Sequence, residues 1–343
     1  MFRANTRERE HAWDFTYLIV RDRSGSPVAA TFVTTSLWKD DALSPAPLSR
    51  EVARRREERG DPYFLTSPMV AAGSLLTEGD HLYLDRSADW RGALRLILGA
   101  TRAIEDAAGA AAVVLRDLPD GDRELHDFLL GEGLVPIPVP DTWVREIDMA
   151  DDEAFLASLT RKHRYHQRTR VLRFEPAYRM EVLAGGSPEA AALTTAQRDE
   201  LYRLYRAVHA RAHDLAVFPL PRRVVDAVLA SPAWELVLLH LPDRATGPVA
   251  FSVQHVTDEH VAPVFVGLDY GYVASHGAYQ VLLLQGIRSA QRRGARRVLY
   301  GMSADLQKAR FGAVREKRWA YVQATDTFNA DVLAQLTATV GAA

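Results

Sequence analysis

Between residues 235 and 268 the apolar positions fall into three short runs separated by turn residues. Residues 235–240 form an apolar run, and residues 242–248, with a proline at each end, form a turn. Val249, Phe251 and Val253 then alternate with Ser252 and Gln254, the period-2 spacing of a strand with one buried face. A second turn at Thr257, Asp258 and Glu259 leads into residues 260–268, so the stretch predicts three antiparallel strands of a meander. The spacing then becomes helical. Tyr279, Val281, Leu282, Leu283, Ile287 and Ala290 cover a broad face, which predicts a buried helix over 276–293. Ser275 stands at its N-cap and Gly294 at its stop. A strand at 297–302, a short helix at 305–311 and a strand at 317–325 complete this half.

The first half follows a similar order. Residues 17–21 and 28–34 predict a hairpin, 81–85 a further strand, and 89–108 a helix. A strand at 111–116, a helix at 123–130 and a strand at 142–147 follow. Gly92 and Gly109 bracket the first long helix 17 residues apart, and Gly277 and Gly294 bracket the second at the same interval. Four residues past each closing glycine come Val113 and Val114, or Val298 and Leu299. Gly133 and Gly312 end the short helices, and Trp143 and Trp319 open the last strands. The matching order predicts a divergent repeat. The expected fold class is α/β (α+β): two units, each a mixed, mostly antiparallel twisted sheet flanked by helices. The expected division is 1–148 and 149–343, with Pro136, Pro138 and Pro140 stiffening the approach to the boundary.

Composition narrows the chemistry. The 343 residues suit two domains of ordinary size. The formal net charge of -2 supplies no general attraction for DNA or an acidic membrane, so an anionic partner needs a local patch. The absence of cysteine excludes disulfides, a thiol nucleophile and thiolate metal sites. The highly charged first ten residues are unlike a signal peptide, and the apolar runs are too short to span a bilayer. A cytoplasmic location is expected.

Four segments in the second half resemble the GNAT acyltransferases, in particular the tandem-domain branch related to Fem-type transferases. They are residues 264–272 (VFVGLDYGY), 275–280 (SHGAYQ), 297–301 (RVLYG) and 306–312 (LQKARFG). The resemblance covers about 150–325 and implies an N-acyltransferase. Its co-substrate would be acyl-CoA or the phosphopantetheine of an acyl carrier protein, its acceptor the amine of a small molecule, with no metal. Residues 1–148 would be a degenerate first repeat. In such a site a strand splays from its neighbour, its free backbone pairs with the pantetheine arm, and the next helix offers N–H groups to phosphate. The corresponding donor residues are Val266, Gly267, Leu268, Ser275, His276, Gly277, Ala278 and Tyr279. Pro263 suits a splaying strand, because it cannot donate to a ladder; it equally suits an edge strand. The usual phosphate signature is reduced to Gly277, with Ala274 and Tyr279 at the other two positions. A carrier-borne phosphopantetheine has one phosphate and needs less of that loop, and an aminoacyl-tRNA donor needs none. A non-catalytic carrier-docking module with a decayed loop is the third reading.

Acyl transfer to an amine needs a proton acceptor for the amine and a proton for the leaving group. Asp269 is a candidate acceptor, or else a turn residue before Gly271. Tyr300 and Ser303 are candidate donors near the leaving thiolate; Tyr300 is equally suited to a core. Lys308 matches a basic position of the Fem-related branch and suits an anion, or a solvated helix face. Arg211 suits an acceptor carboxylate, or plain surface. Residues 161–173 hold six Lys or Arg and no acid, on a predicted helix. That composition favours an anionic partner, with Arg161, Arg164 and Arg168 docking a carrier protein. His163 and His166 lack a ligand set, and His209 and His213 lack the glutamate of a zinc-protease motif.

Overall fold

A computed structural model describes residues 8–42, 44–79, 81–212, 216–242, 247–329 and 331–332. The first half of the chain runs β1 (Asp14–Arg21), β2 (Pro27–Lys39), α1 (Ala46–Arg59), β3 (Thr66–Ala72), β4 (Leu82–Leu84), α2 (Trp90–Ala108), β5 (Ala112–Pro119), α3 (Arg123–Gly131) and β6 (Val135–Glu146). The second half runs α4 (Asp152–Ser158), α5 (Arg161–Arg170), β7 (Arg179–Ala184), α6 (Pro188–Ala191), α7 (Thr195–His209), α8 (Arg223–Leu229), β8 (Trp234–His240), β9 (Ala250–Val256) and β10 (His260–Leu268). It ends with α9 (Tyr270–His276), α10 (Ala278–Arg293), β11 (Arg297–Gly301), α11 (Asp305–Ala309) and β12 (Val314–Ala324). The fold is the expected α/β mixture of sheet flanked by helices.

Two compact units result. The N-terminal unit comprises the described residues of 2–140, 212–218 and 317–343; the C-terminal unit comprises 141–211 and 219–316. In the N-terminal unit the strand order is β1-β2-β3-β5-β12, with β4 pairing beside β2. Ala93, Leu94, Ile97 and Leu98 of α2 are buried against Ala72 and Leu115. Each fully buried Leu or Ile contributes roughly 1.5–3 kcal/mol. In the C-terminal unit the order is β6-β11-β10-β9-β8-β7. Val281, Leu282, Leu283, Leu284, Ile287 and Ala290 of α10 share one core with Val237, Leu239, Val249, Val261 and Val298. Alternate strand residues face away from that core, and Phe251 and Gly267 there meet Leu204 of α7.

Neither unit closes with its own last strand. Residues 142–147 are expected to end the first repeat, yet Trp143 lies opposite Gly301 and Glu146 opposite Arg297, in antiparallel pairing with β11. Conversely, Trp319 lies opposite Leu118 and Ala324 opposite Ala112, pairing β12 with β5. The chain therefore divides at 140 and 316 as well as around 212–218, rather than by a single cut at 148. Alternation marks a segment as strand, but which free edge receives it is a long-range choice. The helix expected over 276–293 is α10, Ala278–Arg293, and a further short helix, α9, precedes it. Gly277, at φ +62°, ends α9 and starts α10. Ser275 is therefore no N-cap: it sits inside α9, its Oγ donating to Gly271 O at 3.0 Å.

Candidate active site

β10 and β11 are parallel neighbours that separate almost at once. Their pairing consists of His260 opposite Arg297 and Val261 opposite Val298. β10 meanwhile stays paired with β9 as far as Leu268, opposite Ala250. From Ala262 onward its other edge has no strand partner among the described residues. The register shift on the β9 side falls between Pro263 and Phe265, where the proline cannot donate. The result is a V whose arms are the expected donor strands. α10 crosses it: a Cβ at Gly286 would lie 3.5 Å from Pro263 Cγ and from Val298 Cγ1. Val266 packs against the core on the α10 side, whereas Gly267 faces α7.

The start of α10 differs from that of its counterpart α2 in its cap. Gly277 provides no side-chain cap. The equivalent helix α2 is capped by its own carboxylate, Asp89 accepting from Gly92 N at 2.9 Å. Trp90 beside it is buried under the guanidinium groups of Arg86 and Arg91. Of the two helices, α10 is thus the one left with an anion-attracting terminus. Its surroundings come from α5 and α11. Gln280 Nε2 donates to Gln307 Oε1 at 3.4 Å, Arg310 Nη1 reaches the same oxygen at 3.5 Å, and Gln167 Nε2 donates to Arg310 O at 2.9 Å. His166 Nε2, Gln167 Oε1 and Gln280 Oε1 are buried without hydrogen-bond partners among the described residues. Burial, then the charges of Arg310 and Arg170, hold the His166 imidazole below its usual range. Burial pushes the Tyr279 phenol up to about 12, so it stays neutral. His166, Gln167, Gln280 and Arg310 were not singled out as donor-site residues in sequence; no local pattern marks their convergence.

Gly277 itself has a packing role. A Cβ there would lie 3.0 Å from both Arg170 O and Phe174 Cδ2, besides the strain of positive φ. A bulky side chain at this position therefore tests folding rather than donor binding. Ala278 is buried in the core, and His276 accepts on its carbonyl from Tyr178 Oη at 3.1 Å, leaving its ring with Ser275 Oγ at 2.8 Å.

The residues expected to do chemistry separate into three groups. Asp269 and Ser303 stand at the open ends of the two arms. Asp269 caps α9, accepting from Gly271 N at 3.1 Å, and its carboxylate acts electrostatically on Arg203. Ser303 is exposed, in a left-handed conformation at φ +64° followed by Ala304 at φ +52°. Tyr300 does not belong with them. It is buried, its Oη donates to Leu283 O at 2.8 Å, and its ring meets Phe311 edge-on, so it is a core ring. Tyr300→Phe is expected to cost about 1 kcal/mol of stability, the worth of one neutral hydrogen bond, and to leave kcat unchanged. Chemical denaturation beside initial rates checks this; a tenfold loss of kcat in a folded variant would return Tyr300 to the reaction.

Lys308 is neither a solvated lysine nor an open anion site. It is 3% exposed, and its Nζ donates to Gly301 O at 2.8 Å and to Met302 O, which ties down the turn after β11. The Arg211 guanidinium stacks over the ring of Tyr270, the residue after Asp269, at 3.9 Å. The basic helix is confirmed as α5 but loses one docking residue. Arg164 donates to Leu156 O at 2.9 Å, Leu159 O at 3.0 Å and Ala157 O at 3.2 Å, closing the C-terminus of α4. Arg161, Lys162, Arg168, Arg170 and Arg173 remain exposed beside Tyr165. His213 lies outside the described residues.

Residues 159–318 match the acetyltransferase (GNAT) domain family. The whole chain also resembles solved structures at low identity. FemX has 12% identity and a TM-score of 0.59, over 94% of this chain and 90% of its own. The C-terminal domain of a putative lysylphosphatidylglycerol synthetase from Agrobacterium fabrum has 15% identity and a TM-score of 0.55, over 94% and 88%. A tandem GNAT protein from the clavulanic acid biosynthesis pathway has 13% identity and a TM-score of 0.54, over 92% and 84%. No curated protein sequence matches the chain. The diverging parallel pair and the helix that crosses it lie within the matched residues, which supports an acyltransferase. Residues 159–318 thus carry a GNAT acetyltransferase domain, and the fold of the chain is like that of the tandem GNAT protein and of FemX. No helix among the described residues is long and apolar enough to cross a membrane.

Proposed function

We propose that the chain transfers an acyl group from a phosphopantetheine thioester, on CoA or on a carrier protein, to the amine of a small molecule. The observation that carries this is the free edge of β10 beyond Val261. Its unpaired N–H and C=O groups suit the amides of a pantetheine arm, as a third strand would. Val266, Gly267 and Leu268 supply that edge. The phosphate lies at the uncapped start of α10, at Ala278 and Tyr279, with Arg170 and Arg310 compensating for the reduced loop. Asp269 accepts the amine proton, and the Ser303 hydroxyl donates a proton to the thiolate, which leaves as the free thiol of the pantetheine arm. Arg211 faces the acceptor. The work is done in the C-terminal unit, because Asp89 already fills the corresponding anion position of α2 in the N-terminal unit.

Incubation with pools of acyl-CoA, acyl-carrier protein and aminoacyl-tRNA, with mass-spectrometric detection of the acylated amine, tests this reading. Product from either thioester pool supports it. Product from the tRNA pool alone, abolished by ribonuclease, replaces it with a Fem-like transferase; the acid-free basic face of α5 favours that second reading.

Arg161 and Arg168 are placed to steer a large anionic donor toward the V. Reversing both to Glu is expected to raise KM for acyl-carrier protein about tenfold at low salt and little at high salt, since surface charges act over a Debye length of about 10 Å at 0.1 M. Turnover of a small pantetheine thioester should hardly change. Equal losses for both donors would assign the face to folding or to the acceptor.

A further inference from the structure

The N-terminal unit contains a second divergence of strands, with a cleft of its own. β3 pairs in parallel with β5 from Met69 opposite Ala112 to Ala72 opposite Leu115, and there it ends. β4 takes its place beside β2, with Leu82 opposite Thr31 and Leu84 opposite Ala29. β5 runs on to Pro119 beside β12. No pairing joins β4 to β5 among the described residues, so the two separate as β10 and β11 do in the C-terminal unit.

The apex of this second V is plugged by the chain itself. A Cβ on Gly73 would come within 2.8 Å of His81 Nε2. That nitrogen is 3.3 Å from Thr77 Oγ1 and 3.6 Å from Asp117 Oδ2, while Arg116 Nη2 is 3.1 Å from the same carboxylate oxygen. The Asp117 side chain is 1% exposed and those of His81 and Arg116 are 7% exposed, so no long arm threads this apex. Beyond the plug a cleft of about 420 Å³ stays open. Leu82, Tyr83, Leu84, Pro119 and Leu125 form its walls, and the Arg86–Asp122 ion pair is its only charged feature.

We propose that this cleft binds a small zwitterion with an apolar side chain, of the type of a leucine- or phenylalanine-like α-amino acid. The size suits such a ligand, since small-molecule sites run from about 300 Å³ upward. The charges select among apolar ligands. Arg86 and Asp122 are partly exposed and already balanced. A ligand bearing both a carboxylate and an ammonium group matches each and preserves the balance. A simple acid or a simple amine leaves one member of the pair facing a like charge or none, which is how such sites discriminate. Arg86 is oriented for this by stacking at 4.1 Å over the buried Trp90 ring.

Titration of the full chain with L-phenylalanine, N-acetyl-L-phenylalanine and 2-phenylethylamine, followed by NMR shifts and calorimetry, tests the assignment. Saturable binding of L-phenylalanine is expected, with each analogue about tenfold weaker, or about 1.4 kcal/mol. Arg86→Gln and Asp122→Asn should each weaken L-phenylalanine by a similar factor. Asp122 also caps α3 by accepting from Leu125 N; asparagine caps equally well, so that variant keeps its helix. Leu84→Trp, which fills the cleft, should abolish binding. Absence of saturation, equal binding of all three compounds, or wild-type affinity in the two charge variants would each overturn the proposal. The acyl-transfer reaction is not needed for any of these readouts.

Discussion

Asp269→Asn is expected to lower kcat by about a hundredfold or more while the protein stays folded. Proton transfer by a positioned side chain is worth roughly 10²–10⁴-fold. The substitution isolates that contribution, because the proposed proton acceptance by Asp269 is separable from its cap. Its Oδ1 caps α9 by accepting from Gly271 N. Asparagine retains an oxygen of the same reach and ranks with aspartate as an N-cap. What disappears is the negative charge and the ability to take a proton. Initial rates with the active donor, beside a denaturation curve, separate the roles. A folded variant with wild-type kcat would reduce Asp269 to a cap and leave proton removal to water or to another group at the mouth of the V.

Gly267→Ala carries the largest expected effect on stability. Gly267 sits on the free-edged strand, one residue from its end, and faces α7. A Cβ there would lie 2.6 Å from Phe251 Cδ1 and 2.8 Å from Leu204 Cβ, closer than side-chain carbons approach. Neither neighbour is a flexible tip: Phe251 is 1% and Leu204 0% exposed. Overpacking a dense core costs about 1–3 kcal/mol and occasionally more, and the collision with two fixed groups places this variant near about 3 kcal/mol. Urea unfolding should show a lower midpoint at an unchanged slope. A midpoint equal to that of the wild type would mean that α7 does not press on β10. Phe251→Leu added to Gly267→Ala should recover part of the loss, because it withdraws the ring that the new methyl meets.

Much of the fold was legible along the chain, for local reasons. The strand over 260–268 and the stops at Gly109 and Gly294 rest on alternation, and on the left-handed backbone that glycine adopts cheaply. The splay after Val261 was foreshadowed by Pro263, whose missing N–H interrupts a ladder wherever the strand is placed. The site was less legible. Tyr300 looked suited to proton donation because it ends a strand, but its hydroxyl is spent on Leu283 O. Lys308 looked suited to an anion or to a solvated helix face, but its stem folds inward to two carbonyls. Arg164 counted toward a docking face until its guanidinium was found closing α4. Each is a long polar side chain whose destination depends on what packs above it.

By itself the sequence determined the order of elements over 81–147 and 235–325, the repeat of a glycine-bracketed helix between strands, the GNAT resemblance and the acid-free basic helix. All of these are set within windows of a few to some twenty residues. Only the tertiary structure decided that β6 and β12 each close the opposite unit, that Gly277 is pressed against Arg170 and Phe174, and that Gln280 of α10 and Arg310 meet on the Gln307 oxygen. It also decided that the two equivalent V-shaped openings have different contents, one left open along β10 and the other plugged by His81 and Asp117. The physical reason is common to these cases. Propensity, periodicity and capping are local free energies, whereas strand partnership and the pairing of buried polar groups are settled between residues far apart in the chain.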